Sequence, residues 1–561
     1  MSTSIRRSIS YLLYLSLFSG TAFATDVLTQ EQQNLKHQKV IQETEEALRK
    51  AKIFLREESK QETDSITKDE SQTDRTIKRI TVDQAGRSVY LDFDSVIKQY
   101  EEKPLTTKQV FALVKDLTDV LYRAGYVTSA IGLKNNVADK NELDFIIHWG
   151  YVNDYLVNGE KPSSFKDKAM VFTLPSLKNK LLNVYDVDQL VEILNTTNKS
   201  AEIKVIAAEK EGESNFNLVT NRTYLPKVTL GFNNSGAENN ANGRNQITAS
   251  VNWSDLLGTN DSWYFSTGYR LYKGHKKNSQ QNYLLSYSQP FSTYTLDIKV
   301  SQSDSKKEIK GIHSYNSEGK IKTANIKLAK VLSRNKDMIL SAYGELEFKT
   351  KRNYIGERLV SHYNNNKLTI GLSYIKNFLG GKLYNDISYS NGLGWFGANS
   401  LAYNSKGDKT LSLLSGTMSW YKSFALQERP LNYQLRLGFQ YSPYSLYADN
   451  QFSIGDEYTV RGFKGGIISG DSGYYLSQTV DIPFYPEKMS ISQVKPFLGI
   501  DFGRIFNHVQ NDNETLVGAA VGTRIQVSRL NLSFTYSKPI KNVKTNKGDS
   551  NIYYVNGSIS F

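Results

Sequence analysis

Phe452-Ser-Ile-Gly-Asp-Glu-Tyr-Thr-Val-Arg-Gly-Phe463 is the stretch around which the rest of the chain is organised. From Thr459 to Gly470 the run is glycine-rich, and Arg461 and Lys464 are its only charges. A guanidinium so isolated calls for a carboxylate from elsewhere, because an unpaired charge taken out of water is costly. Taken alone, Val460-Arg461-Gly462-Phe463 also suits an exposed turn. What decides is its setting: segments of alternating apolar and polar residues flank it and continue to Phe561.

Residues 225–561 carry this period of two almost throughout. Leu431, Tyr433, Leu435, Leu437, Phe439 and Tyr441 fall on one strand face, with Asn432, Gln434, Arg436, Gly438, Gln440 and Ser442 on the other. The same split recurs at Leu530, Leu532, Phe534 and Tyr536, and again at Tyr553, Val555, Gly557, Ile559 and Phe561. A soluble sandwich alternates too. A sheet in a bilayer must also close on itself, and bacterial barrels close with even strand numbers. At roughly 9 to 11 residues per crossing, sixteen strands leave about ten residues for each connection, whereas eight leave implausibly long loops. Tight connections such as Ser528-Arg529 belong on the periplasmic side and polar ones such as Lys538 to Ser550 outside. Counting back from Phe561 makes the stretch containing Arg461 loop 6. In strand 13, Val494, Pro496, Leu498, Ile500 and Phe502 share an apolar face, which turns Lys495, Phe497, Gly499, Asp501 and Gly503 inward.

Composition agrees with export. Arg6 and Arg7, a short apolar run from Tyr11 to Ser19 and Ala22-Phe23-Ala24 form a signal peptide over residues 1–24, too short to span a bilayer. Its removal takes the net charge from +13 to about +11. The 561 residues contain no cysteine, which excludes disulfide scaffolds and thiolate metal sites. A mean hydropathy of −0.47 with 36 tyrosines suits a barrel, whose lipid and lumen faces average out. Lysine and arginine are dispersed among acids without a recognition helix or stacking motif, which argues against nucleic acid. The six histidines lack metal-ligand spacing, no Gly-x-Ser-x-Gly elbow occurs, and the Gly-Lys pairs at 319–320 and 381–382 are not followed by Ser or Thr. Neither an enzyme nor a cofactor is expected.

Ahead of the barrel the chain changes character three times. Residues 25–58 contain an amphipathic helix from 29, with Val40, Ala47 and Phe54, and Ile41, Leu48 and Leu55, recurring at seven. Such a helix is marginal alone in water, and it lies either on a neighbouring domain or at the end of a tether. Residues 59–76 are polar and read as a flexible linker. Residues 77–151 and 152–223 follow as two α/β units. The first has a strand at Ile77 to Val82 and a helix from Thr106 through Val110, Leu113, Val114, Leu117 and Leu121 that Gly125 stops. Tyr126-Val127-Thr128-Ser129 opens its next strand, and Leu143, Phe145 and Ile147 alternate in another. The second repeats the order, with helices around Phe165 to Leu182 and Val187 to Thr196.

Taken together, these features resemble the outer-membrane transporters of two-partner secretion (the TpsB, or haemolysin secretion/activation, type of the POTRA-barrel superfamily). The resemblance rests on the Val460-Arg461-Gly462-Phe463 tip and the domain order. Leu121 to Ser129, Leu182 to Gln189, Asp255-Leu-Leu-Gly-Thr-Asn-Asp261, Tyr287-Ser-Gln-Pro290 and the terminal Phe561 add to it. It implies a membrane β-barrel of about 16 antiparallel strands over residues 224–561, two periplasmic POTRA domains and an N-terminal plug helix in the lumen. Loop 6, at about 446–472, would fold into the barrel and set Arg461 against Asp501 of Asp501-Phe-Gly503, with Gly462 and Gly503 permitting close approach and Phe463 packing on the wall. Phe561 would be the signal read by the barrel assembly machinery. The partner implied is one large exoprotein (a haemolysin, adhesin or contact-dependent inhibition toxin), exported unfolded without nucleotide. A barrel-protein insertase and a passive solute channel are the alternatives.

Overall fold

The computed structural model describes residues 31–33, 35–45, 75–134, 141–236, 243–309, 314–335, 337–398, 411–427, 429–465, 467–486, 491–508, 513–541 and 551–561. The signal peptide expected at residues 1–24, the part of the helix expected beyond residue 45 and most of the expected linker lie outside them.

Sixteen antiparallel strands close into a barrel, from strand 1 (Lys227–Asn233) to strand 16 (Ile552–Ser560), which pair with each other to seal the ring. Alternation decides the faces. In strand 13 (Gln493–Phe506), Leu498 and Ile500 are 65% and 59% exposed toward lipid, while Asp501 is fully buried inward. The strands are less even than an average crossing suggests. Strand 5 (Tyr294–Ile309), strand 6 (Tyr315–Arg334), strand 7 (Met338–Ile355) and strand 8 (Arg358–Phe378) run 16, 20, 18 and 21 residues and rise as a paired wall outside the membrane. Strands 7 and 8 meet outside in a tight turn at Gly356, whose φ is +60°, so length here goes into paired backbone instead of loop. Strand 15 (Leu530–Lys541) likewise absorbs Lys538 to Lys541, and loop 8 starts after it.

The first α/β unit opens one strand earlier than the sequence pattern suggests. Arg75–Ile77 pairs with Lys103–Leu105, so residues 75 and 76 belong to this unit and not to the linker. Arg79–Asp83 runs parallel to Glu142–His148, which pairs antiparallel with Ala130–Leu133. Tyr126 to Ser129 form a turn before that last strand. The helix Thr107–Arg123 starts in a capping box: Thr106 Oγ1 accepts from the Gln109 N–H at 3.2 Å, and Gln109 Oε1 accepts from the Thr106 N–H at 2.7 Å. Leu113, Leu117 and Leu121 are wholly buried on one face, and Gly125 at φ +94° ends the helix.

The second unit has the same topology. Tyr151–Val157 runs parallel to Glu213–Arg222, which pairs antiparallel with Lys199–Ala207. Its helices are Phe165–Phe172, shorter than expected, and Val184–Leu194; Leu174, Leu177 and Leu182 still enter the core from the connecting segment.

This unit is fastened to the barrel through three successive periplasmic turns. At turn 1, Lys199 Nζ meets Asp255 Oδ1 at 2.9 Å, Arg222 Nε meets Asp255 Oδ2 at 3.0 Å, and Asn260 donates to Thr173 Oγ1 at 2.6 Å. At turn 2 the Ser292 N–H donates to the Thr173 carbonyl at 2.7 Å, and at turn 3 Arg334 pairs with Glu192.

Candidate functional site

Loop 6 runs from residue 442 to 471, between strand 11 (Arg429–Tyr441) and strand 12 (Ser472–Asp481), and turns inward. Its own small pairing, Phe452–Ile454 with Ile468–Gly470, makes it stiff enough to carry a tip. Asp456 builds that tip, its Oδ1 accepting from the Tyr458 and Thr459 N–H groups at 2.9 and 2.8 Å. Farther up, Asp449 holds the loop to the wall through Lys351 Nζ at 2.8 Å and the Tyr363 hydroxyl.

The tip brings Arg461 onto Asp501. Nε donates to Oδ2 at 2.6 Å and one Nη to Oδ1 at 2.7 Å, a two-pronged contact. The Arg461 backbone N–H also donates to Oδ2 at 2.9 Å, and the same Nη reaches the Gln478 carbonyl at 3.0 Å. Arg461 is 3% exposed and Asp501 wholly buried, so each charge depends on the other. Val460 and Phe463 are buried with Phe452, Ile454, Ile468, Tyr475, Ile505 and Leu516, and the Phe463 carbonyl accepts from the Tyr554 hydroxyl.

Glycines make the approach possible. Gly462 sits at φ +103° against the Lys538–Pro539 backbone, and a side chain at Gly503 would meet Val460 Cγ2 at 2.8 Å. The sequence pattern placed Gly499 inward without giving it a role, and Gly518 was missed; the structure sets both against the arginine. A Cβ at Gly499 would strike the guanidinium, and one at Gly518 in strand 14 (Asn513–Val527) would strike the Arg461 carbonyl. Gly518→Val is expected to unseat the tip while leaving the barrel closed, read as new proteolytic cleavage in loop 6 of the inserted protein; an unchanged digest would count against this packing.

The N-terminal helix, described over residues 31–33 and 35–45, stands in the lumen. Glu31 meets Arg270 at 2.5 Å and accepts from Asn282 at 2.8 Å. Gln32 donates to Ser303 at 2.8 Å, His37 Nδ1 lies 2.7 Å from Asp456 Oδ2, Gln38 donates to Tyr458 at 2.8 Å, and Lys299 reaches Glu43 at 3.0 Å. Polar residues, not the apolar stripe, therefore make its described hydrogen bonds. Val40 and Ile41 lie across a small gap from the inward side chains of Thr417, Ser419 and Arg436. Burial pushes the Glu31 carboxyl up, but the charge and hydrogen bonds of Arg270, with Asn282 and Gln246, outweigh it and hold it below the usual range. Burial likewise raises Glu43, yet Lys39, Lys299 and Lys327 bring it down to about 2. Lys36 is exposed in the lumen, and the like charges of Lys367 and Lys349 lower its amine. A cavity of about 2140 Å³ remains along the helix, lined largely by Ser, Thr, Asn, Gln and charged side chains. His37 was passed over in the sequence because only metal and catalytic spacings were sought.

At the far end of the chain Phe561 is 59% exposed at the periplasmic rim, its N–H donating to the Val228 carbonyl at 2.8 Å.

Comparison with known proteins matches this architecture. The POTRA domain of ShlB type matches residues 75–150, and the haemolysin secretion/activation protein family ShlB/FhaC/HecB matches residues 212–525. The outer membrane transporter CdiB of Escherichia coli O6:K15:H31 is 27% identical over 478 residues, 83% of this chain and 79% of that one. The hemolysin transporter protein ShlB of Serratia marcescens is 23% identical over 444 residues, 78% of this chain and 77% of that one. The solved structure of CdiB from Escherichia coli superposes with a TM-score of 0.83 at 24% identity, covering 95% of this chain and 99% of that one. These relatives do not favour an insertase or a passive channel. With its closed sixteen-strand barrel in the outer membrane and its POTRA domains in the periplasm, this chain belongs to the ShlB/FhaC/HecB family of haemolysin secretion/activation proteins, which are outer-membrane transporters.

Proposed function

We propose that this transporter exports one large partner exoprotein, captured unfolded by the POTRA units, threaded through the lumen in place of the N-terminal helix, and released outside to fold. The observation that carries this reading is the seated helix: a polar-lined lumen holds a segment of the chain itself through side-chain pairs and not through a fused core. An α-helix with its side chains is about 10–12 Å across, so the space it vacates admits an extended chain. No nucleotide is needed, since folding outside and binding inside supply the direction. The names of the relatives include hemolysin transporters, and by analogy the client here is a haemolysin-like, adhesin-like or inhibition-toxin protein. Deleting the gene is expected to remove one large protein from the medium with the outer-membrane profile unchanged; a depleted profile would favour an insertase.

The POTRA units are the selective element in this reading. Each has its own core, with Phe145 in the first and Phe216 in the second wholly buried. Strand addition at an open sheet edge gives affinity from the main chain and selectivity from side-chain pockets. The edge strand Lys199–Ala207 is the best placed, with Val205 and Ile206 exposed. Residues 75–223 alone are expected to bind the N-terminal region of the partner with a Kd of roughly 1 to 100 μM, about 5.5 to 8 kcal/mol, by calorimetry. Absence of heat at millimolar concentration would rule this out. Phe561 in turn is proposed as the residue the barrel assembly machinery reads.

A further inference from the structure

The tall wall of strands 5 to 8 carries cations on its lipid-facing side. Register fixes the face. Leu296, Ile298 and Val300 of strand 5, Ala324, Ile326 and Leu328 of strand 6, Leu346 and Phe348 of strand 7, and Leu368, Ile370 and Leu372 of strand 8 form one outward apolar band. Continuing outward on the same face come Lys322, then Lys320, and on the neighbouring strand Arg352. Lys320 and Arg352 are direct cross-strand partners, and like charges so placed repel. The outward carboxylates near them are already engaged. Asp304 lies 3.6 Å from Lys320, Glu318 pairs with Lys306 at 2.8 Å, and Glu308 with Lys277 at 2.6 Å. Among the described residues no carboxylate lies within ion-pair distance of Lys322 or Arg352.

Depth identifies what could answer these charges. From Lys330, at the periplasmic end of the same face, to Lys322 is eight residues. At about 3.3 Å each and a tilt of about 40° this rises about 20 Å, close to the height of about 25 Å of the apolar band of such barrels. Lys322 therefore stands at the outer edge of the hydrocarbon, with Lys320 and Arg352 one step above. A second feature marks the same level. The start of loop 5 folds back on the outside of strands 7 and 8, where Asn366 donates to the Trp395 carbonyl at 2.7 Å and Asn364 to the Gly397 carbonyl at 3.0 Å. Phe396 packs edge-on against Phe348 with ring centres 5.4 Å apart. Trp395 and Phe396 nevertheless remain 65% and 74% exposed, as aromatic residues at a bilayer interface are.

We propose that the outward face of strands 5 to 8 binds a phosphorylated glycolipid of the outer leaflet, with Lys320, Lys322 and Arg352 holding its phosphates and Trp395 and Phe396 lying against its acyl-sugar boundary. The bound phosphate relieves the Lys320–Arg352 repulsion and fixes the rotation of the barrel in its membrane.

The test uses the full-length protein in detergent with bisphosphorylated lipid A as probe, bound fraction being read by native mass spectrometry. Lys322→Gln should weaken binding about fivefold and the triple change Lys320→Gln, Lys322→Gln, Arg352→Gln at least tenfold, following roughly the known contribution of one basic residue at an anionic surface. Neutralising Lys330 and Lys376 at the periplasmic end should leave it unchanged, and heat-modifiable electrophoretic mobility verifies that each variant is a closed barrel. Equal binding by wild type and triple variant overturns the proposal. So does displacement of the lipid by inorganic phosphate at millimolar concentration, which would mark a free-anion site.

Discussion

Arg461→Ala is expected to cut secretion of the partner at least about tenfold, the factor that corresponds to about 1.4 kcal/mol, while the barrel still inserts and closes. The change leaves Asp501 buried without its two-pronged partner, and breaking one half of such a pair costs about 3–5 kcal/mol. Asp501→Ala should do the same, since it also strands the Arg461 backbone N–H. Arg461→Lys is not mild, because one ammonium cannot supply both prongs. The decisive measurement is a double-mutant cycle on secreted partner per inserted barrel. The double variant should be no worse than either single one; additive losses would mean that the two groups act separately.

Removing residues 29–58 should raise single-channel conductance several-fold in planar bilayers, with secretion largely retained. Point changes give opposite signs. Glu31→Ala strips Arg270 of its partner and should loosen the helix, increasing open events. Lys36 works the other way: it stands in the lumen near the like charges of Lys367 and Lys349, which lower its amine, so its charge at neutral pH opposes seating and that opposition is relieved as the amine loses its proton. Lys36→Gln should therefore lower the open fraction at pH 7. A conductance indifferent to the deletion would show that this helix does not limit the pore.

Much of this was legible before any coordinates. Strict alternation turned Asp501 inward because a lipid face tolerates Leu498 and Ile500 but no carboxylate. The glycine before the arginine's carbonyl contact was not legible, since Gly518 in strand 14 looks like any strand glycine until Arg461 lies over it. The heights of strands 5 to 8 were hidden for another reason. Above the hydrocarbon the outward face no longer needs apolar residues, so Lys320, Lys322 and Arg352 erase the period that marks a strand and read as loop. The N-terminal helix misled by its stripe. In a water-lined lumen the hydrogen bonds and ion pairs fall to Glu31, His37 and Glu43 instead.

The second α/β unit is joined through Asp255 and Asn260, Ser292 and Arg334, which lie on three neighbouring turns along one arc of the periplasmic rim. An attachment along one arc makes the unit a lever, not a lid. Tension from a chain drawn inward would act on it as a torque about that arc, tilting the unit toward opening the opposite side of the mouth with the barrel's strand pairing kept. For a client captured as proposed, load and opening would be separated around the circumference, and its entry path would run off-axis, away from the attached arc.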